Sequence, residues 1–345
     1  MGLKAIIEKH QLNFKKPATT SRGALLYRDI FLLKLYNEAY PDIIGIGECA
    51  PLKGLSIDDV SNYEKTLHSL AEQINKNKNT DKFDFVKYPS IKFGLETALL
   101  DLKNGGKQLI FKNFYSIGKQ GIPINGLIWM SDFDDMLDEA KEKISKGFKC
   151  IKVKIGAIDF EKECKLIEFI SQHKDVVIRL DANGAFNENN VFERLDVLKK
   201  FNIHSIEQPI KANQLPLMKQ VINESPIPIA LDEELIGKFS DEEINFLLSE
   251  LKPHYIVLKP NLLGGFLQTE KWINAAEKLK IQWWITSALE SNIGLNAIAQ
   301  FTANYQINIP QGLGTGHLYS SNFKPYSIIE SGYLWKNMGN EVSDN

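Results

Sequence analysis

Short apolar runs alternate with amphipathic segments over residues 122–316. Eight such runs begin near Ile122, Cys150, Val176, Ile203, Ile227, Tyr255, Gln282 and Ile307. Successive runs start 24 to 28 residues apart, about the length of one strand, one crossover helix and two loops. The segments between them carry apolar residues at helical spacing. Eight near-equal units favour a closed (β/α) barrel over an open doubly wound sheet.

The first 120 residues follow a different pattern. Strand-like alternation over residues 6–14, 27–36 and 43–47 is followed by helical spacing over residues 56–75 and 91–103. We therefore expect an α+β domain over residues 1–120 and the barrel over residues 121–319. The tail, residues 320–345, is too short for a domain, and we expect it to pack back on the N-terminal one.

Five consecutive predicted barrel strands end with an ionisable residue at an inward position. Apolar positions within residues 150–155 alternate with Lys152 and Lys154. If the apolar side chains face the helices, both lysines point into the barrel. The same alternation turns further side chains inward, namely Arg179, Asp181, Asn183, Glu207, Asp232 and Lys259. Because active sites lie at the carboxyl ends of barrel strands, the set predicts a catalytic site there.

The residue types indicate the chemistry of that site. Three converging carboxylates, Asp181, Glu207 and Asp232, cannot all stay ionised in a confined space without a cation. Oxygen ligands favour Mg²⁺, with Mn²⁺ or Ca²⁺ behind it, whereas Zn²⁺ would favour His or Cys. Repulsion from Lys152 would lower the pKa of Lys154 and let it act as a general base. Any one of these residues alone is typical of a solvated rim.

Composition excludes several other classes of protein. The chain has 345 residues and a net charge of −2, with 41 basic and 43 acidic side chains. Four of the basic residues are arginine, so a nucleic-acid partner is not expected. Three cysteines without a CxxC pair favour a reducing compartment, and we expect the cytoplasm. Early charges at Glu8 and Lys9 argue against a secretion signal, and no apolar run predicts membrane insertion.

The polar strand ends also resemble a known superfamily. The motifs stand in the order KVK at 152–154, DAN at 181–183, SIEQP at 205–209, LDE at 231–233 and LKP at 258–260. As an ordered set they resemble the enolase superfamily, for which a lysine base with Mg²⁺ is the usual arrangement. Further stretches, including GECAPL at 47–52, NGLIWM at 125–130 and QGLGTG at 311–316, are most similar to its o-succinylbenzoate synthase family, in the muconate-lactonizing-enzyme-like subgroup.

This resemblance implies a fold and a reaction. The fold would be a (β/α)₇β TIM-like barrel with an N-terminal α+β capping domain. Asp181, Glu207 and Asp232 would bind the metal, Lys154 would be the base and Lys259 would lie opposite it. The reaction would be a dehydration, 2-succinyl-6-hydroxy-2,4-cyclohexadiene-1-carboxylate to 2-succinylbenzoate in menaquinone biosynthesis, through a metal-stabilised enediolate.

The residues that contact the substrate are predicted in less detail. We expect Lys152, Arg179 and Asn183 to orient Lys154 and the substrate carboxylate. Candidates for holding the succinyl carboxylate are Ser287, Ser291, Arg22 and the backbone at Gly312 and Gly314. Loops at residues 19–23 and 49–54 resemble those that close the site, and Cys49 is expected to be a small buried side chain.

Three other functions fit parts of the pattern. Lysines on both sides of a substrate also suit an N-acylamino-acid racemase or dipeptide epimerase with the same metal site. An inward lysine is compatible with a metal-free Schiff-base lyase. A barrel used only for binding would have no need of a base. The favoured function would take a small-molecule carboxylate substrate, and the sequence does not indicate an oligomeric state.

Overall fold

An antiparallel sheet and two helices form the N-terminal part of the computed structural model, which describes residues 2–20, 23–77 and 83–340. The elements are β1 (Leu3–Thr20), β2 (Gly23–Asn37), β3 (Tyr40–Cys49), α1 (Tyr63–Asn75) and α2 (Pro89–Lys103). The strands pair in the order β1-β2-β3, and both helices pack on this sheet. The predicted strands and helices are present. The first helix begins at Tyr63 rather than at 56, because residues 52–62 form hydrogen-bonded turns.

Seven parallel strands and their crossover helices follow. The strands are β5 (Gly126–Ile128), β6 (Cys150–Lys154), β7 (Val177–Asp181), β8 (Ser205–Glu207), β9 (Ile229–Leu231), β10 (Tyr255–Leu258) and β11 (Gln282–Ile285). The helices are α3 (Phe133–Ser145), α4 (Phe160–Ser171), α5 (Val191–Leu198), α6 (Leu215–Glu224), α7 (Asp241–Leu251), the short α8 (Pro260–Leu263), α9 (Phe266–Lys278) and α10 (Asn292–Thr302). Neighbouring strands along the chain are neighbours in the sheet. The expected α/β architecture is confirmed.

The barrel closes through an eighth strand reduced to two residues. Gln311 forms a parallel bridge with Ile124, ahead of β5, and Gly312 forms one with Thr286, just after β11. The Gly312 N–H donates to Ile285 O at 2.8 Å, and the Gln311 N–H donates to Pro123 O at 2.8 Å. The sequence places this strand near Ile307, four residues too early. Residues 308–312 contain one aliphatic residue, Ile309, so they show no alternation from which so short a strand could be located.

The tail joins both parts of the molecule. Tyr319 bridges to Phe14 of β1 and packs with Leu12 and Ile30 of the N-terminal sheet. Strands β12 (Ser327–Glu330) and β13 (Tyr333–Lys336) instead form an antiparallel sheet with β4 (Ile122–Pro123), ahead of the barrel. The tail therefore contacts the N-terminal sheet and the barrel alike. The expected division at residue 120 stays a prediction.

Strand alternation explains how the barrel holds its polar residues. Ile151 and Val153 of β6 lie in the large apolar cluster with Leu166 and Ile167 of α4. Lys152 and Lys154, at the alternate positions, point into the barrel as predicted. The three cysteines are free thiols, and Cys49 is fully buried. Within the described ranges no helix is long and apolar enough to cross a membrane.

Two glycines beside the closing strand allow a matched test of this closure. A Cβ built on Gly312 would lie 2.2 Å from Thr286 Oγ1, whereas one on Gly314 would meet no atom closer than 3.5 Å. We expect Gly312→Ala to lower the free energy of unfolding by about 1–3 kcal/mol through overpacking. Gly314→Ala should change it by less than about 0.5 kcal/mol. Urea unfolding of both variants measures the difference, and equal stabilities would contradict the described closure.

Candidate active site

A cavity opens at the carboxyl ends of the barrel strands. Residues predicted from the sequence supply much of its lining, namely Lys152, Lys154, Asp181, Asn183, Lys259, Ser287, Gly312 and Gly314. Leu52 and Leu55, from the loop after β3, cover it from the N-terminal domain. The loop predicted over residues 49–54 therefore contributes a wall of this cavity.

Lysines and carboxylates form a connected set of buried ion pairs. The Lys152 ammonium lies 2.9 Å from Asp181 Oδ2 and donates to both oxygens of Glu207 at 2.7 Å. Lys154 Nζ donates to Asp181 Oδ2 at 3.1 Å, and Lys259 Nζ donates to Asp232 Oδ2. Exposed fractions of the three carboxylates are 1–2%. Because these charges have little access to water, each must be balanced by its neighbours.

The same neighbours shift the pKa values in opposite directions. Burial, with repulsion from Asp181, raises the pKa of Glu207 to about 8. Burial also opposes ionisation of Asp181, but Lys152 and Lys154 outweigh it and hold the pKa of Asp181 below its usual value. Burial alone would lower the pKa of Lys152. Asp181 and Glu207 more than offset it, so Lys152 remains an ammonium.

Two amide side chains fix these groups in place. Asn183 accepts from Lys154 Nζ at 2.6 Å through Oδ1 and donates to Glu233 Oε1 at 3.1 Å. Gln208 accepts the backbone N–H of Asp232 at 3.1 Å, which holds the residue after β9. Asn183 and Gln208 both have positive φ angles, 43° and 40°. Such backbone is uncommon outside glycine. Gln208 stands in the SIEQP motif, but the sequence assigned it no role.

The donor set suits a hard divalent cation. Asp181 ends β7, Glu207 ends β8 and Asp232 directly follows β9, and the three side chains offer six carboxylate oxygens. As the side chains stand, no three His, Cys, Asp or Glu residues in the described part of the chain are grouped to hold an ion. Each of these carboxylates is turned toward a lysine instead. The carboxylate oxygens, their burial and the raised pKa of Glu207 are all consistent with a divalent cation bound between the three side chains.

Other predicted contacts lie in different surroundings. Arg179 donates to Pro310 O at 2.7 Å and stacks over Trp284 at 4.1 Å, outside the cavity lining. Ser291 is fully buried and donates from its N–H and Oγ to Glu48. Arg179 and Ser291 thus have protein partners in this structure, and their expected contacts with the substrate stay predictions. Arg22 lies outside the described residues.

The Ser287 hydroxyl lies on the cavity and is hydrogen-bonded to Thr315 Oγ1. Gly312 and Gly314 line the same wall. Three of the residues predicted to hold the succinyl carboxylate therefore lie together on this side of the cavity. The Gly312 N–H is already engaged by Ile285 O. The Gly312 N–H is therefore less available to a bound carboxylate than the Ser287 side chain.

A buried contact between cap and barrel escaped the sequence analysis. Arg28 of β2 is 4% exposed and donates to Ala50 O and Ala288 O. Asn261, two residues after Lys259, also donates to Ala50 O at 2.8 Å. Arg28 thus joins the loop that carries Leu52 to the wall that carries Ser287. In the sequence, Arg28 is a single arginine within a predicted strand. A charged side chain at such a position is ordinarily expected to be exposed.

Trp129 was also missed. It follows β5, lines the cavity, and places its ring 5.3 Å from Lys154 Nζ. An aromatic face at this distance attracts a cation. The sequence signal was an aromatic residue at the end of the first barrel strand, which could equally have been part of the core.

Comparisons with known proteins cover both parts of the chain. Residues 4–102 match the family described as MenC, N-terminal domain, and residues 135–337 match Enolase C-terminal domain-like. An o-succinylbenzoate synthase from Desulfotalea psychrophila is 39% identical, over 96% of this chain and 99% of its own. An N-succinyl-L-Arg/Lys racemase from Bacillus cereus is 27% identical, over 83% of this chain and 80% of its own.

Solved structures agree with these sequence matches. The crystal structure of MenC from Desulfotalea psychrophila is 36% identical and superimposes with a TM-score of 0.86, covering 97% of this chain and all of its own. An L-Ala-D/L-Glu epimerase from Bacillus subtilis has a TM-score of 0.81 at 19% identity, over 98% of this chain and 97% of its own, so it shows the fold alone. The chain belongs to the o-succinylbenzoate synthase family, within the enolase-like superfamily of barrel enzymes.

Proposed function

We propose that this protein is an o-succinylbenzoate synthase, which dehydrates 2-succinyl-6-hydroxy-2,4-cyclohexadiene-1-carboxylate to 2-succinylbenzoate. The observation that carries the proposal is the placement of Lys154 and Lys259 in one cavity. Lys154 ends β6 and Lys259 follows β10, four strands further around the barrel, so the two ammonium groups enter from opposite sides. The 39% identity to a synthase over nearly the full length supports the same reaction.

We propose Asp181, Glu207 and Asp232 as the residues that would hold Mg²⁺, with Mn²⁺ as the alternative. When bound, the cation supplies positive charge that stabilises the negative charge developing on the substrate carboxylate. With the three carboxylates ionised around a divalent cation, Lys152 and Lys259 charged and Lys154 a neutral amine, this set would carry a charge of +1. That charge is opposite in sign to the two carboxylates of the substrate.

Lys154 is proposed as the residue that moves the proton. Two acceptors, Asn183 Oδ1 and Asp181 Oδ2, hold Nζ in the cavity, and the Trp129 ring faces it. The neutral amine takes the proton from the carbon next to the ring carboxylate, which leaves an ammonium. That ammonium then protonates the departing hydroxyl as the C–O bond breaks, so water leaves and the amine is restored.

Lys259 is proposed to stay charged throughout. Burial would lower the pKa of Lys259, but the carboxylates Asp232 and Glu207 offset this and raise the pKa above its usual value. A fixed ammonium opposite the base can stabilise negative charge on the ring without exchanging a proton. Two persistently charged lysines, Lys152 and Lys259, are also poor candidates for the neutral amine that Schiff-base formation needs.

The capping domain is proposed to exclude water during the reaction. Leu52 and Leu55 close the cavity on the side of the N-terminal domain. Arg28 holds the start of their loop against the barrel, through Ala50 and Ala288. With water excluded, the charged groups act in a lower dielectric and their effect on the reacting anion is stronger. The proposal is completed by the cytoplasmic location that the unpaired cysteines favour and by a small-molecule carboxylate substrate, with no nucleic-acid partner and no membrane insertion.

Replacing Lys154 with alanine should remove the base without removing the site. We expect Lys154→Ala to lower kcat by about 10³-fold, because general acid–base groups contribute about 10²–10⁴-fold. Binding of 2-succinylbenzoate, measured by calorimetry, should persist. The matched control is Lys149→Ala, since Lys149 is largely exposed and pairs with Asp175. Undiminished formation of 2-succinylbenzoate by Lys154→Ala would rule out the assigned base.

Metal removal tests the cofactor. We expect activity to be lost after treatment with EDTA and to return with Mg²⁺ or Mn²⁺, because the cation would supply the positive charge that stabilises the anion developing on the substrate carboxylate. Calorimetric titration of Mg²⁺ provides a readout besides activity, and Asp232→Asn should weaken that binding by about 10-fold or more. Full turnover in EDTA would overturn the metal proposal. Racemisation of an N-succinyl amino acid, followed by loss of deuterium from its α-carbon, checks the alternative activity in the same preparation.

The Arg28 contact can be tested without removing its charge. Arg28→Lys keeps a cation but replaces the two separate nitrogens that donate to Ala288 and Ala50 with a single one on a shorter side chain. We expect faster proteolysis within residues 50–55 and a lower kcat, at a free energy of unfolding reduced by about 1–3 kcal/mol. Arg194→Lys, at a helix surface stacked on Phe160, is the control. If both variants behave alike, Arg28 has no special part in closing the site.

A further inference from the structure

A second cavity lies beside the active site and shares a wall with it. It lies between residues 14–17 of β1, helix α3 and residues 314–318. Leu127, Trp129 and Gly314 line both cavities. Gly314 has no side chain and Leu127 is half-buried, so the indole of Trp129 is the largest group in the shared wall.

Trp129 is held in this position from the side of the second cavity. Its backbone N–H donates to Glu139 Oε2 of α3 at 3.2 Å. Glu139 is one of the residues lining the second cavity. Burial raises the pKa of Glu139 above its usual value. The contact ties the end of β5 to the helix that follows it and so fixes the backbone from which the indole extends.

The indole is also coupled to the base. Its ring lies 5.3 Å from Lys154 Nζ. The indole Nε1 is buried and has no hydrogen-bond partner among the described residues. A buried donor without an acceptor costs free energy that a ligand oxygen can recover. Both properties place Trp129 at the boundary of the volume in which substrate must lie.

We propose that Trp129 determines the size of substrate that the site accepts, by separating the active-site cavity from the second cavity. This inference rests on the proposed function and extends it. The ion pairs fix where a carboxylate binds, and the indole sets how far the rest of the molecule extends on that side. Removing the indole would join the two volumes and admit carboxylates with an additional bulky apolar group.

Binding of product analogues tests this proposal. The probes are 2-succinylbenzoate and two analogues of it, one with a phenyl group on the benzoate ring and one with a phenyl group on the succinyl arm. Dissociation constants are measured by calorimetry for the wild-type enzyme, Trp129→Leu and Trp129→Ala, in the presence of Mg²⁺. We expect the affinity ratio of one bulky analogue to 2-succinylbenzoate to rise by about 10-fold or more in both variants.

A control variant distinguishes this effect from a general loss of packing. Trp283→Leu removes an indole that packs against Tyr305 and lines neither of the two cavities. Its affinity ratios should stay within about twofold of the wild type. Steady-state kinetics supplies a second readout, since loss of the ring beside Lys154 should lower kcat, which Trp283→Leu should not do.

The outcomes separate the two proposals. If wild-type enzyme forms 2-succinylbenzoate but the affinity ratios are unchanged in Trp129→Leu and Trp129→Ala, the partition by Trp129 is overturned. The same holds if all three probes lose affinity equally. If wild-type enzyme does not form 2-succinylbenzoate, the proposed function fails, whatever the probes do. A selective gain for one bulky analogue, absent from Trp283→Leu, supports the partition.

Discussion

The structure depends on balancing ionised side chains inside the barrel mouth. Lys152 lies between Asp181 and Glu207, and both of these carboxylates are almost completely buried. Removing one partner from such a set leaves an uncompensated buried charge, which costs about 3–5 kcal/mol. The strands must therefore keep their alternation, because a slip of one residue would turn every one of these charges toward the helices. The register of the sheet therefore determines whether these charged side chains meet inside the barrel.

The N-terminal domain is joined to the barrel by polar contacts that are themselves buried. Glu48 of β3 accepts from Ser291 and Gly294 at the start of α10, and Glu96 of α2 accepts from Phe266 at the start of α9. Carboxylates at helix N-termini satisfy backbone N–H groups and complement the helix dipole. The two parts thus meet through directional bonds, so the covering loop has a defined place over the cavity.

Much of the fold and of the reacting groups could be predicted from the sequence, because both follow from alternation within single strands. Lys154 and Asp232 could be placed from their nearest neighbours alone. Arg28 and Trp129 could not, since their partners lie far away in the chain, at Ala288 and Lys154. A long-range contact between a side chain and a backbone carbonyl leaves no periodic signal. The closing strand was misplaced for a related reason, since two residues are too few to show a period.

That closing strand has a consequence for ligand binding. Gln311 and Gly312 join the first barrel strand to the last through a single bridge on each side. The Gln311 side chain adds to the joint by accepting from the Ile285 N–H at 2.7 Å. Ser287 and Gly314, on the two flanks of this joint, both face the cavity. A molecule that contacts both residues would link the two sides of the closing strand. Binding in the cavity would therefore stabilise the closed barrel, and closure of the barrel would favour binding.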